Sequence, residues 1–580
     1  MKGRLAVILC VFAACIYLSS CAGTAGGDSG SGVQDEVFTG GGESHLFNLS
    51  YSGIKDISSS SVRVIEVPNT SGYWSENVGK GKKVFFIRTN VADNVIDKSY
   101  VQKISETTGF TNSGRSLVNT DMPYARQQMK DDNNRARSNY LSRSGTSHIA
   151  RGVDTPKTKY WDIGDERELW LEDGNGNYSK KKVRLYAKNM NCYVWCVPDE
   201  ATSFTKLSSL ASVFDSVCLP VIYLSGSPCS DMFGKLSGND LEQVSMYGYS
   251  PTGSMMNIVV YDIGSDSSNG SFIGFFASRD YYPDKEDLGK LAPGLVYKDS
   301  DRDLNYSNEG QFIYLDSWYL RNKYGTALST LVHEFHHLII WGQKYMKNKK
   351  LMGDEWNEML SMMCEDLLQA KISQEAPSFS FWDSPAQRLP YFEGCYINAG
   401  LELRRDSQSA TVMSYSTLYA FGAWLLRNFG GAELFARMAR SSYIDESMVV
   451  EAVNSVNGTN YTLENLIGMF AVSCVAPKYE YTMNRDAVQT RFHSLSGYSF
   501  PSRAVDLWNL NKAAIKGLSD AWAIYDGCGF FSSKDVCNIR PYGMILSYVG
   551  ETSSDIVSVY FGNAYVSKNM RLYMVVTDKD

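Results

Sequence analysis

The sequence has no excess of basic residues and few long apolar runs. Its 580 residues include 56 Lys and Arg against 63 Asp and Glu, which gives a formal net charge of -7. Sequence-independent nucleic-acid binding needs a concentrated basic field, so this composition excludes nucleic acid as a partner. After the N-terminal segment, no stretch reaches the roughly 18 consecutive apolar residues of a membrane-spanning helix.

Other extremes of composition are absent as well. Hydrophobic residues make up 44% of the chain and charged residues 21%, which excludes a mostly disordered, collagen-like or coiled-coil protein. Aromatic residues reach 13%, which favours β-rich segments and large packed surfaces. The length exceeds one ordinary domain and predicts three or four modules.

The N-terminus has the features of an export signal. Lys2 and Arg4 precede a 14-residue apolar run at 5–18, which suits a signal peptide better than a transmembrane helix. The run ends in Leu-Ser-Ser-Cys, which resembles a bacterial lipobox in which Cys21 becomes the lipidated first residue. The alternative is an ordinary signal peptide with Cys21 incidental. The expected location is therefore the bacterial cell envelope, at the outer membrane or cell surface, with the lipid as the only membrane contact.

Nine cysteines would remain after export and lipidation. An exported chain can form disulfides, and the pairs Cys218/Cys229 and Cys528/Cys537 are close enough in sequence to be candidates. The odd number leaves at least one free thiol. Cys192 and Cys196 flank Tyr-Val-Trp in a predicted strand without a second pair of zinc ligands, so we interpret them as structural.

Histidine is scarce and clustered. The chain has six histidines, and three of them lie at 333–337 in the segment HEFHH. On a helix, His333 and His337 project from one face, where two imidazoles can bind one metal ion. Glu334 is then placed to act as a general base on a metal-bound water. His336 lies about 100° around the helix from His337, so we expect it to pack or hydrogen-bond nearby. The alternative is a helix whose histidines only pack or cap.

A catalytic zinc ion needs a third protein ligand and an open position. Glu358 lies 21 positions after His337, on a second predicted helix, and shares a stripe with Ser361 and Glu365. The helix can supply Glu358 as the third ligand, while Glu365 hydrogen-bonds the far nitrogen of a ligand histidine. Alternatively, Glu358 is a solvated helix residue.

The HEFHH segment, the 21-residue gap and Trp-Asn-Glu-x-x-Ser at 356–361 together resemble the gluzincin metallopeptidases, most closely the hyicolysin type. The resemblance covers residues 200–475. It implies an α+β chain with a thermolysin-like catalytic domain, one zinc ion, and hydrolysis of a peptide or protein substrate.

A later helix resembles the one that follows the zinc site in gluzincin aminopeptidases, where a Tyr three residues before a Gly donates a hydrogen bond to the oxyanion. Tyr419 before Gly422 matches that place, and Tyr415 is its nearest competitor. Both could instead be core aromatics.

Two departures from the aminopeptidases favour an endopeptidase. The Gly-x-Met-Glu-Asn motif that captures a substrate amine is missing, and the segment 308–316 predicts a plain strand. As an edge strand it could pair with an extended peptide. The remaining histidines, His45, His148 and His493, have no acidic or Cys neighbours at ligand spacing and are assigned no role.

These inferences give one working hypothesis, a lipid-anchored zinc metalloendopeptidase in which zinc polarises the scissile carbonyl and Glu334 moves the proton. The alternatives are a surface adhesin or host-binding lipoprotein on a peptidase-like scaffold, and a hydrolase of another amide or ester. The predicted organisation is a signal peptide at 1–20, a Gly/Ser-rich tether at 21–44, a β-rich module at 45–200 with a polar insertion at 111–158, a zinc metallopeptidase domain at 201–480, and a second β-rich module at 481–580.

Overall fold

The structure is a computed structural model with helices and sheets in one α+β chain. It describes residues 62–67, 73–102, 104, 106–111, 141–143, 160–201, 206–228, 255–264, 273–286, 295–297, 305–346, 348, 350–380, 383–476, 479, 481, 494–495, 498–499, 528–531, 536–561 and 566–578. The strands are β1 (Val62–Glu66), β2 (Tyr73–Asn77), β3 (Lys83–Asn90), β4 (Glu106–Thr108), β5 (Phe110–Thr111), β6 (Leu141–Arg143), β7 (Glu166–Glu172), β8 (Tyr178–Lys188), β9 (Cys192–Cys196), β10 (Met256–Tyr261), β11 (Gly274–Phe276), β12 (Leu295–Tyr297), β13 (Gln311–Asp316), β14 (Ser494–Leu495), β15 (Tyr498–Ser499), β16 (Met544–Thr552), β17 (Ile556–Tyr560) and β18 (Met570–Thr577).

The helices follow mostly in the second half of the chain. They are α1 (Pro198–Ala201), α2 (Leu210–Val217), α3 (Leu219–Ser225), α4 (Ser317–Asn322), α5 (Tyr324–Ile340), α6 (Asp354–Glu375), α7 (Leu389–Cys395), α8 (Gln408–Phe429), α9 (Gly431–Arg440), α10 (Ser447–Asn457) and α11 (Leu463–Val475). A π-helical turn, Trp341–Met346, directly extends α5. Helix α6 packs between α5 and α8, so the helical layer is built around it.

A six-stranded sheet in the order β11-β13-β10-β9-β8-β7 lies against the helices. Strands β9, β10 and β13 are parallel neighbours, whereas β11 runs antiparallel to β13 at one edge. The three parallel strands are buried along their whole length, as expected for apolar strands covered on both faces. The segment 308–316 is therefore not the predicted edge strand. Its strand, β13, is interior, and β11 forms the edge instead.

The first and the last strands of the described residues fold together. Strands β1, β3 and β5 join β16 and β18 in one five-stranded sheet, and β2 and β4 flank β17 in a three-stranded sheet. The structure thus differs from the prediction of separate β-rich modules at 45–200 and 481–580. Strands β7 to β9 also belong to the six-stranded sheet of the helical body, so the first boundary near 200 divides a sheet.

Alternation along β3 explains why the five-stranded sheet is buried on both faces. Val84 and Phe86 face an apolar core shared with the three-stranded sheet, whereas Phe85 and Ile87 join the large core of the helical body. Successive strand residues point to opposite faces, so one strand serves both cores. On the helical side, Tyr573 of β18 lies against Gly468 of α11.

The polar segment predicted as an insertion at 111–158 lies mostly outside the described residues. Its described part, β6, pairs antiparallel with β12.

The cysteines differ from the predicted disulfides. Cys528 and Cys537 do not form a disulfide with each other, and Cys528 is hydrogen-bonded to Cys474 of α11 instead. Cys218 is also a buried free thiol, while Cys229 lies outside the described residues. Cys192 and Cys196 are buried in β9, where burial raises their thiol pKa.

Within the described residues, one helical stretch, Leu207–Ser225, is long and apolar enough to cross a membrane by length and composition alone. It packs through α2 and α3 against α5, α6 and α9, and about half of it is buried. These contacts are typical of a core helix.

The junction between the helical body and the C-terminal strands predicts a steric test at Gly400. A Cβ atom there would lie 1.7 Å from the Pro541 carbonyl oxygen, and that oxygen is fixed by a hydrogen bond from Leu401 N. Because rigid backbone must shift, we expect Gly400→Ala to cost about 1–3 kcal/mol, measured as a lower thermal unfolding midpoint. In the control Gly422→Ala, the added Cβ on α8 meets the flexible side chain of Met363 from α6, so the loss should be smaller. Equal losses would contradict this description of the junction.

Candidate metal centre

Helix α5 carries the first two candidate ligands. It packs beneath β11 and β13, and every residue except Thr326 is buried. The i, i+4 spacing places the rings of His333 and His337 on one face with centroids 4.6 Å apart. Gly274 allows β11 to pack closely on α5, because a Cβ at this position would lie 3.1 Å from Thr330 Cγ2.

Helix α6 brings Glu358 to the same point. Its Oε2 lies 3.1 Å from His333 Nε2 and 3.5 Å from His337 Nε2. The three ligating atoms lie within 4.8 Å of one another, and all three side chains are buried. Burial alone would raise the pKa of Glu358, but His337 and His333 hold it well below its usual range.

Glu365 lies two turns after Glu358 on the same helix. Its Oε1 accepts a hydrogen bond from His333 Nδ1 at 2.7 Å, and its Oε2 accepts one from Ser329 Oγ at 2.5 Å. In a neutral His333 that donates from Nδ1 to Glu365, Nε2 is unprotonated and faces Glu358, which is the form that binds a metal.

The second ligand histidine has a different partner. Ser361 Oγ lies 3.1 Å from His337 Nδ1 and 2.8 Å from Nδ1 of the neighbouring His336. His336 is fully buried and packs on Phe435 of α9, which matches the expectation that it packs and hydrogen-bonds nearby. Burial holds the pKa of His336 well below its usual range, so its imidazole is neutral.

Glu334 is held beside the three ligands by the edge strand. Its Oε2 accepts a hydrogen bond from Phe276 N at 2.9 Å, whereas its Oε1 is buried without a partner among the described residues. Burial raises the pKa of Glu334 to about 8, with the nearby His337 acting in the opposite direction.

This donor set fits a divalent metal ion such as zinc. Two imidazole nitrogens and one carboxylate converge, which is the three-ligand set that leaves a fourth position open. The buried, unpartnered Glu334 Oε1 indicates that something polar belongs in the adjoining space, because buried polar atoms are normally hydrogen-bonded.

Tyr419 is placed differently from the expectation for an oxyanion donor. Its hydroxyl donates to Asp366 Oδ1 at 2.9 Å, within a fully buried ion pair between Asp366 and Arg427. Helix α8 thus directs Tyr419 to the stripe of α6 next to the one that carries Glu365. Tyr415, one turn earlier, is also buried. Among the described contacts, none joins Tyr419 to the three ligands.

Two groups of the site were not predicted from the sequence. The main-chain N–H of Phe276 comes from a strand 58 positions before Glu334, and no side-chain pattern marks it. Asp366, which binds Arg427 and Tyr419, was not predicted to have a role. The buried run around Arg427 was the available signal, because a buried arginine in an apolar helix needs an acidic partner. Cys21, His45, His148 and His493 lie outside the described residues.

Comparison with known proteins gives one distant relative. No family model matches the chain. This chain is 26% identical over 203 residues to the neutral metalloprotease ShpI of Staphylococcus hyicus, a match that covers 33% of this chain and 36% of the relative. The match thus spans about a third of the relative's length. Together with the buried His333, His337 and Glu358 group, this similarity supports a metalloprotease relationship.

The contacts of Tyr419 generate a prediction for Tyr419→Phe. Asp366 would keep its bonds from Arg427 and Gln369, so we expect a loss of about 1 kcal/mol in the free energy of unfolding and nearly unchanged turnover. Tyr415→Phe serves as the matched control. An oxyanion donor would behave otherwise, because its loss typically lowers kcat by about 10²–10³. A loss of that size in Tyr419→Phe with unchanged stability would restore the oxyanion role.

Proposed function

We propose that the chain is a lipid-anchored zinc metalloendopeptidase of the gluzincin type, with a thermolysin-like catalytic domain. The single observation that carries the proposal is the convergence of His333, His337 and Glu358 beside the unpartnered oxygen of Glu334. The distant similarity to a neutral metalloprotease supports the same class of activity.

The chemistry divides between the metal and Glu334. A divalent metal ion held by the three ligands would polarise a substrate carbonyl and acidify water. Glu334 accepts the proton of the attacking water at Oε1 and delivers it to the leaving amine. Phe276 N–H fixes the other oxygen, so the carboxylate is aimed before the substrate binds.

The proton-accepting role requires Glu334 as a carboxylate, whereas burial disfavours that form and raises its pKa to about 8. A divalent cation held beside it by the three ligands would favour the carboxylate.

The edge strand β11 supplies a place for the peptide. Its inner side pairs with β13, while Phe276 N–H points to the opposite side, where Glu334 lies. An extended peptide that adds to this edge of the described sheet would pass directly by the general base. Addition along an edge needs no free substrate terminus, which favours internal cleavage and agrees with the missing amine-capture motif.

The anchor rests on the N-terminal sequence alone. The apolar run at 5–18 and Cys21 support lipidation, and the Gly/Ser-rich residues that follow suit a flexible tether at the cell envelope.

The roles of the site residues are tested by two groups of variants. Glu334→Gln should lower kcat/KM for a cleaved peptide by about 10²–10⁴ while about one zinc per chain remains, because this residue moves a proton and is not a ligand. His337→Ala and Glu358→Ala should lose zinc together with activity. The measurements are metal content by mass spectrometry and digestion of a peptide library with and without a chelator.

Opposite behaviour of the two groups would contradict the assigned roles. If Glu334→Gln lost its zinc, or if Glu358→Ala kept a full zinc content, the assignment of Glu358 as ligand and Glu334 as base would be wrong. A wild-type protein that contains no zinc and cleaves nothing, yet binds host surfaces, would favour the adhesin alternative.

The anchor predicts the behaviour of Cys21→Ser. This variant should incorporate no labelled fatty acid and should move from the membrane to the soluble fraction, because the proposal assigns the membrane contact to the lipid. The measurement is detergent phase partition of the wild type and the variant. Continued partition of Cys21→Ser into the detergent phase would contradict the lipobox.

A further inference from the structure

One serine hydroxyl lies between two buried histidines at the rim of the metal centre. Ser361 Oγ lies 2.8 Å from His336 Nδ1 and 3.1 Å from His337 Nδ1, and all three side chains are almost completely buried. A hydroxyl has one proton and two lone pairs, so it can donate to only one of the two rings.

The metal geometry decides the direction of one of these hydrogen bonds. His337 turns Nε2 toward Glu358 Oε2 at 3.5 Å, so a metal ion between them requires an unprotonated Nε2. The proton of neutral His337 is then on Nδ1, from which it is donated to Ser361 Oγ. The hydroxyl keeps a second lone pair and its own proton, so it can either accept from or donate to His336 Nδ1.

We propose that Ser361 is a positioning residue for the metal centre, which accepts a hydrogen bond from His337 Nδ1 and so holds His337 in its metal-binding tautomer. The inference rests on the proposed function, because the direction follows from metal binding at His337. Hydrogen-bond partners of this kind typically change metal affinity by about 10–100-fold when they are removed.

The two ligand histidines are thus supported unequally. His333 donates to the carboxylate of Glu365, whereas His337 donates to a neutral hydroxyl. The centre already buries the carboxyl groups of Glu334, Glu358 and Glu365. A neutral acceptor orients His337 without adding a further buried negative charge, which would be costly to desolvate.

Zinc affinity measures the role of Ser361 directly. Competition with a chromogenic zinc chelator should give a dissociation constant about 10–100-fold higher for Ser361→Ala than for the wild type. The matched control is Ser416→Ala, which also removes a fully buried hydroxyl, but one that bonds only its own helix at Val412 O. Ser416→Ala should bind zinc like the wild type.

Thermal unfolding of the metal-free proteins separates positioning from general stability. Both serine variants should unfold at similarly lowered temperatures without zinc, while only Ser361→Ala loses zinc affinity. Nitrogen-15 NMR of the zinc-loaded wild type with labelled histidine should show a proton on His337 Nδ1.

Each result decides between the inference and the proposed function. Wild-type zinc affinity in Ser361→Ala, or an unprotonated His337 Nδ1 in the zinc-loaded protein, would overturn the positioning role while leaving the metal site intact. A wild-type protein that binds no zinc would overturn both.

Discussion

The burial of several carboxyl groups between two helices is the constraint on which the centre depends. Glu334, Glu358 and Glu365 are all nearly inaccessible to solvent where α5 packs on α6. A buried carboxylate is costly unless it is paired or hydrogen-bonded, so each must have a compensating partner. Glu365 has His333 and Ser329, and Glu358 has both ligand histidines. Glu334 accepts one main-chain hydrogen bond at Oε2, and among the described residues its Oε1, beside the candidate ligands, has no partner.

The same constraint explains the neighbouring polar layer. Asp366 follows Glu365 on α6 but faces α8, where Arg427 compensates it in a fully buried ion pair. Consecutive acidic residues on one helix thus face different partners. Glu365 supports a metal ligand, and Asp366 ties α6 to α8. Removing one partner of such a pair is strongly destabilising, so we expect the pair to stabilise the packing of α6 on α8.

The local parts of this arrangement could be predicted from the sequence, and the non-local parts could not. A period of 3.6 residues per turn places His333 and His337 on one face of α5. The same period places Glu358 and Glu365 on one face of α6. The choice of Asp366 as the partner of Tyr419 depends on how α8 is rotated against α6, which spacing within one helix does not specify. Likewise, β13 and β11 have similar apolar patterns, and only the assembled sheet makes β11 the edge. The pairing of β3 with β16 and β18 joins residues more than 450 positions apart, so no local pattern could show that the two ends form one unit.

The most direct test of the central claim is anomalous X-ray diffraction at the zinc edge from crystals of the purified protein. The account predicts one strong peak at bonding distance, about 2.0–2.2 Å, from Nε2 of His333, Nε2 of His337 and a carboxylate oxygen of Glu358. A protein crystallised with zinc that shows no peak there, or a peak bound by other residues, would contradict the assignment of this centre.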